Sequence, residues 1–189
     1  MKRLILSCVL LVLAPLALAQ RTDVLLTHDG TLYEAAVERP GEDFNTPSTS
    51  FIALTVGTPD AEPRRMVVPA TLLGGSNSNP ALAYDRASGS LFVFWQHMPN
   101  AMASELRFAI LDADGNWSEP AAFQGANYHL RRNLRIAVTS KAYDKNEETG
   151  DLTLVPEVNV HAVWWESTGD GEGARYAMLT VKNNEVTVQ

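Results

Sequence analysis

One run of aromatic and β-branched residues occurs twice in this chain, and the repeat limits the possible folds more than any other feature. Residues 91–96 read Leu-Phe-Val-Phe-Trp-Gln and residues 161–166 read His-Ala-Val-Trp-Trp-Glu, so that Trp95 and Trp165 are 70 positions apart. A second run, residues 107–111, recurs as residues 175–179 at an offset of 68. Two runs in the same order at nearly the same spacing indicate a structural unit that occurs more than once.

The rest of the chain is typical of short β-strands. Runs rich in β-branched and aromatic residues alternate with Gly, Pro, Asn and Asp, and helical periodicity is nearly absent. The tight-turn sequences His28-Asp29-Gly30, Ser88-Gly89 and Asp114-Gly115-Asn116 each offer a residue that tolerates positive φ between two strands. A fainter copy of the repeat lies at residues 32–37 and 51–54. We therefore expect an all-β fold with about three copies of one unit.

Four short strands per unit at this period are typical of propeller blades, which bury their faces only against neighbouring blades. We predict about three four-stranded propeller-like blades within residues 20–189, at approximately 22–69, 70–125 and 126–189. Closed propellers typically have 4 to 8 blades. The prediction is thus an incomplete or open propeller, with three explanations left open: missing C-terminal blades, closure by homo-oligomerisation, or an open arc.

The motifs of the middle unit suggest a family. Pro-Ala-Leu-Ala-Tyr-Asp at 80–85, Leu-Phe-Val-Phe-Trp at 91–95, Arg-Phe-Ala-Ile-Leu at 107–111 and Asp-Gly-Asn-Trp-Ser-Glu-Pro at 114–120 follow one another. This order resembles a blade of the bacterial sialidase-like β-propellers with BNR or Asp-box repeats. Residues 134–188 resemble a second blade and residues 24–69 a more divergent first one. The chain departs from the Asp-box at Asp112, since that motif has Ser or Thr two residues before its Asp.

The resemblance implies a set of catalytic residues that this sequence does not supply. Sialidases of this architecture use three arginines for the substrate carboxylate, a Tyr with a Glu partner as nucleophile and an Asp as acid/base. Arg39 precedes Pro40 where such an arginine would be sought, yet no Tyr-Glu pair can be assigned. We therefore predict no catalytic residues, because a fold by itself carries no function.

The first 19 residues have the three parts of a secretory signal. Lys2 and Arg3 precede an apolar run at 4–13, and Ala17-Leu18-Ala19 offers a small-x-small cleavage site before Gln20. The alternative, a membrane anchor, is disfavoured because the run is shorter than the roughly 20 residues that span a bilayer. We expect an exported protein, periplasmic or secreted, with no membrane span after cleavage.

Charge and cysteine content exclude several classes of protein. The chain has 15 basic and 22 acidic residues, a net charge of −7, and loss of the leader would leave 13 basic residues and a charge of −9. A nucleic-acid partner is not expected, because binding phosphates requires a positive field. Cys8 is the only cysteine and lies in the leader, so neither a disulfide framework nor a thiolate metal cluster is expected.

No metal or cofactor is predicted. The four histidines, His28, His97, His129 and His161, show no i, i+4 pair. Residues 112–116 place three oxygen-bearing side chains at alternate positions, as in a Ca²⁺ loop, but Trp117 and Phe123 stand where that loop needs Gly and an acid. We expect a hairpin turn there instead.

Two groups of residues are candidates for binding, and the first contains the repeated tryptophans. By strand alternation His97 shares a face with Trp95, and His161 shares a face with Trp165. In one interpretation both tryptophans belong to the core between blades, as buried aromatic residues commonly do. In the other they form a shelf on which a sugar ring stacks. The side chains that would then bind sugar hydroxyls are the histidines, Gln96 and Glu166.

The second group is the only basic and aromatic cluster in the acidic chain. It contains Tyr128, His129, Arg131, Arg132 and Arg135. Such a cluster at the end of a sheet could hold an anionic sugar or a carboxylate through bidentate contacts. The alternative is that the arginines pair with the surplus of acidic residues on the surface.

The function that the sequence favours is a non-catalytic exported recognition module that binds a glycan or a protein. One alternative is the N-terminal part of a secreted sialidase-like glycosidase whose catalytic residues lie outside this chain. A second alternative is a scaffold or interaction protein without a small-molecule ligand.

Overall fold

The structure is a computed structural model and describes residues 22–41, 47–101, 103–182 and 185–189. The leader predicted at 1–19 lies outside the described residues. Blade 1 consists of β1 (Thr22–Leu26), β2 (Leu32–Glu38), β3 (Phe51–Thr58) and β4 (Ala61–Val67). Blade 2 consists of β5 (Ser76–Asp85), β6 (Ser90–Asn100), β7 (Ala103–Leu111) and β8 (Ala121–Asn127). Blade 3 consists of β9 (Leu130–Lys145), β10 (Leu152–Thr168), β11 (Gly171–Lys182) and β12 (Glu185–Val188).

Each blade is a four-stranded antiparallel sheet in which strands that follow one another in sequence are neighbours. The all-β prediction and the count of three four-stranded units are therefore confirmed. The three predicted turns are present as well, with Gly30, Gly89 and Gly115 at φ of +86°, +71° and +84°. Glycine suits these positions because it has no Cβ to clash at positive φ.

Two hydrophobic cores hold the blades together, and β6 contributes to both. Leu91, Val93 and Trp95 point toward blade 1, where they pack with residues such as Ile52 and Leu54. The alternate residues of β6 point toward blade 3; the buried members of that second core include Phe92, Phe94, Phe108, Val160 and Trp164. Blade 2 is thus buried on both faces, which explains why β6 is an almost continuous hydrophobic run instead of an alternating one.

The blades form an open arc. The first strand of blade 2, β5, contacts β1, β2 and β3 of blade 1, and the first strand of blade 3, β9, contacts β5, β6 and β7 in the same way. Among the described residues, neither core combines blade 1 with blade 3. Nor does any helix in this part of the chain have the length and apolar character needed to cross a membrane.

The strand register corrects the alignment of the repeat. Trp95 lies opposite Arg107 across β6 and β7, and Trp164 lies opposite Arg175 across β10 and β11. The equivalent of Trp95 is therefore Trp164, at an offset of 69, and not Trp165 at 70. Because a shift of one residue moves a side chain to the other face of a sheet, Trp164 is buried whereas Trp165 is 37% exposed. Core burial, one of the two interpretations of the tryptophans, is confirmed for Trp95 and wrong for Trp165.

Candidate functional site

Three clefts lie at one end of the arc, which we call the connection end because residues 68–75 and 128–129 link successive blades there. The first cleft, of about 490 Å³, lies between blades 1 and 2. An adjoining cleft of about 320 Å³ shares Thr49, Ser76 and Met98 with it. A third, of about 210 Å³, lies between blades 2 and 3. Buried polar side chains near this end include Ser50, Asn77, His97, Ser104 and Arg131.

Six of the eight residues that line the first cleft have polar side chains. Its lining residues are Val37, Arg39, Thr49, Ser50, Ser76, Asn77, Ser78 and Met98. Four of them bear hydroxyl groups and one a guanidinium, whereas no carboxylate is present among the described lining residues of any of the three clefts. The cleft therefore offers hydroxyl and amide groups and one positive charge to a ligand.

Asn77 anchors the floor of the first cleft. Its amide nitrogen donates to the backbone carbonyls of Ser50 at 2.7 Å and Thr71 at 2.9 Å. The Ser50 hydroxyl donates to the carbonyl of Asn77 at 2.8 Å and accepts from its N–H at 2.7 Å. This network ties Ser50, which directly precedes β3 of blade 1, to β5 of blade 2, so hydrogen bonds within the protein hold the floor in place.

Gly75 lies two residues before Asn77, next to this floor, at a point where a side chain does not fit. Its φ is +71°, and a Cβ there would lie 2.4 Å from the backbone oxygen of Met98 and 2.9 Å from the ring of His97. The connection between blades 1 and 2 therefore requires glycine at this position.

His97 lies beneath Asn77 and joins it to an ion pair whose carboxylate is buried. The His97 Nδ1 is 3.0 Å from the side-chain oxygen of Asn77. Because the Asn77 amide nitrogen already donates to two carbonyls, its oxygen faces His97 and Nδ1 is the donor. The His97 Nε2 is 3.9 Å from the Glu105 carboxylate, which Arg107 binds. Burial lowers the pKa of His97, the charge of Arg107 lowers it further, and Glu105 offsets part of this effect.

Glu166 is the centre of a second buried cluster, between blades 2 and 3. Arg131 Nε donates to it at 2.9 Å, Trp164 Nε1 at 3.2 Å and Arg175 Nε at 3.5 Å, and His129 Nδ1 lies 3.1 Å away. Burial by itself would raise the pKa of Glu166, but the hydrogen bonds from Arg131 and Trp164 and the charges of Arg131 and His129 outweigh it, so that this pKa is lowered.

Arg131 extends this cluster to blade 2. Its Nη1 donates to the backbone carbonyl of Ser104 at 2.6 Å and to that of Gly125 at 3.3 Å. The guanidinium thus binds two backbone carbonyls of blade 2 and the Glu166 carboxylate of blade 3 at the same time. Arg131 is buried, and its role in the structure is to join the two blades.

The seven predicted binding residues do not form one site. Trp95, His97 and Arg131 are buried between blades. The structure therefore gives Trp95 no exposed ring face on which a sugar could stack. Tyr128 is exposed and lines the third cleft. The other three, Arg132, His161 and Trp165, lie together on the outer face of blade 3.

On that outer face the polar groups bind one another. His161 Nδ1 is 2.8 Å from the Tyr176 hydroxyl and its Nε2 is 2.8 Å from the Thr139 hydroxyl. The Trp165 Nε1 donates to Glu172 at 3.1 Å, and Arg132 lies 3.4 Å from the same carboxylate. The surface pairing predicted as the alternative for the arginine cluster is thus present at Arg132.

Sequence reasoning missed Asn77 and Glu105 and assigned Glu166 only a place on the shelf. The strand register supplies the signal for the two glutamates. Arg107 and Arg175 hold equivalent positions in blades 2 and 3, and each lies next to a buried carboxylate.

The predicted turn at 112–116 is confirmed: the Asp112 carboxylate accepts from the backbone N–H of Asn116 at 2.7 Å. The described residues contain no group of three or more His, Cys, Asp or Glu side chains that could hold a metal ion.

Similarity to known proteins is found among solved structures. No family model matches the chain, and no curated protein matches it. Among solved structures, the chain is similar to a protein described as Hadza microbial sialidase Hz136, with a TM-score of 0.47 and 14% sequence identity. The similarity covers 90% of this chain and 44% of that protein, so this chain spans less than half of its length.

Proposed function

We propose that this chain is a non-catalytic, exported recognition module whose sheets are blades of a sialidase-like propeller and whose first cleft binds a glycan. The observation that carries the proposal is the cleft of about 490 Å³ between blades 1 and 2, in which six of the eight lining residues have polar side chains. Ligand sites commonly have volumes of about 300 to 1,000 Å³. A hydroxyl-rich ligand suits this lining better than an apolar one.

The chemistry of the lining supports a sugar. Hydroxyl groups both donate and accept hydrogen bonds, so Thr49, Ser76 and Ser78 can exchange them with sugar hydroxyls. Arg39 is exposed at the rim and would bind a carboxylate or sulfate on an acidic sugar in a bidentate manner. The floor at Asn77 is already held by hydrogen bonds within the protein, which reduces the entropy that binding would cost.

The positions of the carboxylates support binding over hydrolysis. Glycosidases place two carboxyl groups on either side of the bond that breaks. Here Glu105 and Glu166 are buried and held by arginines, and the described residues that line the three clefts at the connection end include no acid.

Binding to a glycan array tests the function, with Thr49→Trp as the main variant. A tryptophan at this exposed position would fill the cleft, and we expect loss of the glycan signal. Arg39→Ala should weaken binding of acidic glycans by about tenfold, the effect of one charge-assisted hydrogen bond. Arg86→Ala is the matched control, because Arg86 is exposed and lines a different cleft.

Three results would contradict the proposal. Folded wild-type protein that gives no glycan signal would favour a scaffold role, and binding that Thr49→Trp leaves unchanged would exclude the first cleft. Release of sugar from chromogenic glycosides would show that the chain is an enzyme. Export is tested separately by N-terminal sequencing of the protein recovered outside the cytoplasm, for which we expect Gln20 as the first residue.

A further inference from the structure

The outer face of blade 3 exposes apolar side chains at positions that are core positions in blade 2. Val163 lies opposite Tyr176 in blade 3, and their equivalents Phe94 and Phe108 lie opposite each other in blade 2. Phe94 and Phe108 are buried against blade 3, whereas Val163 is 46% and Tyr176 is 60% exposed. In the repeat, this is the face on which the next blade packs.

The outer face of blade 1 is the counterpart. Val24 and Leu26 of β1 are 57% and 68% exposed. They face away from blade 2, because Leu25 between them packs against the core that blade 2 shares. In blade 2, Leu82 on the first strand packs toward blade 1 in the corresponding way. Blade 1 therefore presents the surface with which a blade meets the one before it.

We propose that two copies of this chain close into a ring of six blades, with blade 1 of each copy packed on the outer face of blade 3 of the other. At both junctions within the chain, the first strand of the later blade contacts the first three strands of the earlier blade. The same arrangement would place β1 of the second copy across β9, β10 and β11, with Val24 and Leu26 against Val163 and Tyr176.

Charge and blade number support a second copy as the partner. Glu34, on the outer face of blade 1, and Arg135, on the outer face of blade 3, are opposite charges on the two surfaces that would meet. Two copies provide six blades, within the 4 to 8 of closed propellers, whereas three copies would exceed that number. Each of the two junctions joins blade 1 of one copy to blade 3 of the other, and a two-fold axis would relate the two junctions.

The test is the mass in solution of the purified exported chain, measured by size-exclusion chromatography with light scattering. We expect a dimer for the wild type. Tyr176→Asp and Leu26→Asp should each abolish the dimer, because each places an unpaired charge in the apolar contact. The matched control is Leu73→Asp, since Leu73 is 78% exposed but lies on the connection between blades 1 and 2. It should remain a dimer.

An equimolar mixture of the two variants separates this arrangement from other dimers. In a mixed dimer, one of the two junctions contains neither substitution. It joins blade 3 of the Leu26→Asp variant, whose outer face is unchanged, to blade 1 of the Tyr176→Asp variant, whose outer face is also unchanged. The mixture should therefore form a dimer that neither variant forms alone, weaker than that of the wild type. A monomeric wild type, a trimer, or a dimer that survives either substitution would overturn the proposal. Circular dichroism of each variant verifies that it is folded.

Discussion

Trp95 and Trp164 hold the same place in neighbouring blades, since each lies opposite an arginine of the following strand and each is buried against the preceding blade. Trp165, next in sequence, points to the opposite face and is partly exposed. The two adjacent tryptophans therefore make different contributions to stability.

Alanine substitution should reveal this difference. We expect Trp95→Ala and Trp164→Ala each to lower the free energy of unfolding by about 3 to 5 kcal/mol through loss of buried surface and the remaining cavity. Trp165→Ala should cost less than about 1 kcal/mol, as for most surface changes. The measurement is urea denaturation of proteins that also carry Tyr176→Asp, because this substitution removes any contribution of dimer formation to the free energy of unfolding. Equal losses for Trp164 and Trp165 would contradict the register.

The ion pair between Arg131 and Glu166 should be essential to the junction of blades 2 and 3. Glu166→Gln leaves the buried guanidinium of Arg131 without a counter-charge, and we expect a loss of about 3 to 5 kcal/mol in the free energy of unfolding. The control is Glu172→Gln, which removes the exposed partner of Arg132 and should cost at most about 1 kcal/mol. The measurement is chemical denaturation at neutral pH, and similar losses would exclude a special role for the buried pair.

His97 should make stability depend on pH near neutrality. Its pKa in the folded chain lies below the ordinary value of 6.5, so between these two values the unfolded chain binds more protons. The stability that His97 contributes is complete above 6.5 and is lost as pH falls toward its folded pKa. We expect His97→Gln to flatten the fall in the free energy of unfolding just below pH 6.5. The control is His28→Gln, at an exposed residue, which should leave the dependence of the free energy of unfolding on pH unchanged.

Glycine at position 75 should be required for the first cleft. Alanine at position 75 would have to adopt positive φ, and its Cβ would force Met98 or the chain around position 75 to move. We therefore expect Gly75→Ala to lower the free energy of unfolding by more than about 1 kcal/mol and to weaken glycan binding. Gly125→Ala is the control, because a Cβ there meets nothing within 4 Å. Thermal unfolding followed by binding assays measures both effects. A stable Gly75→Ala protein that binds normally would contradict this account.

Much of the fold could be predicted from local patterns. Strand-like runs, glycine turns and the repeat predicted three four-stranded units, because strand propensity and turn chemistry depend on residues close in sequence. The candidate site was less predictable. Asn77 is an ordinary polar residue at the start of a strand, and only its contacts with Ser50 and Thr71 show that it forms the floor of a cleft.

The sequence by itself therefore determined the class of fold, the number of blades and the turns between strands. The tertiary structure decided which side chains are buried, because a register shift of one residue reverses the face to which every side chain of a strand points. For that reason Trp164 is buried in place of Trp165, and Glu166 is the centre of an ion cluster instead of a surface residue. The packing of blade on blade also decided which apolar faces stay open, and these are the surfaces of blades 1 and 3 on which assembly would depend.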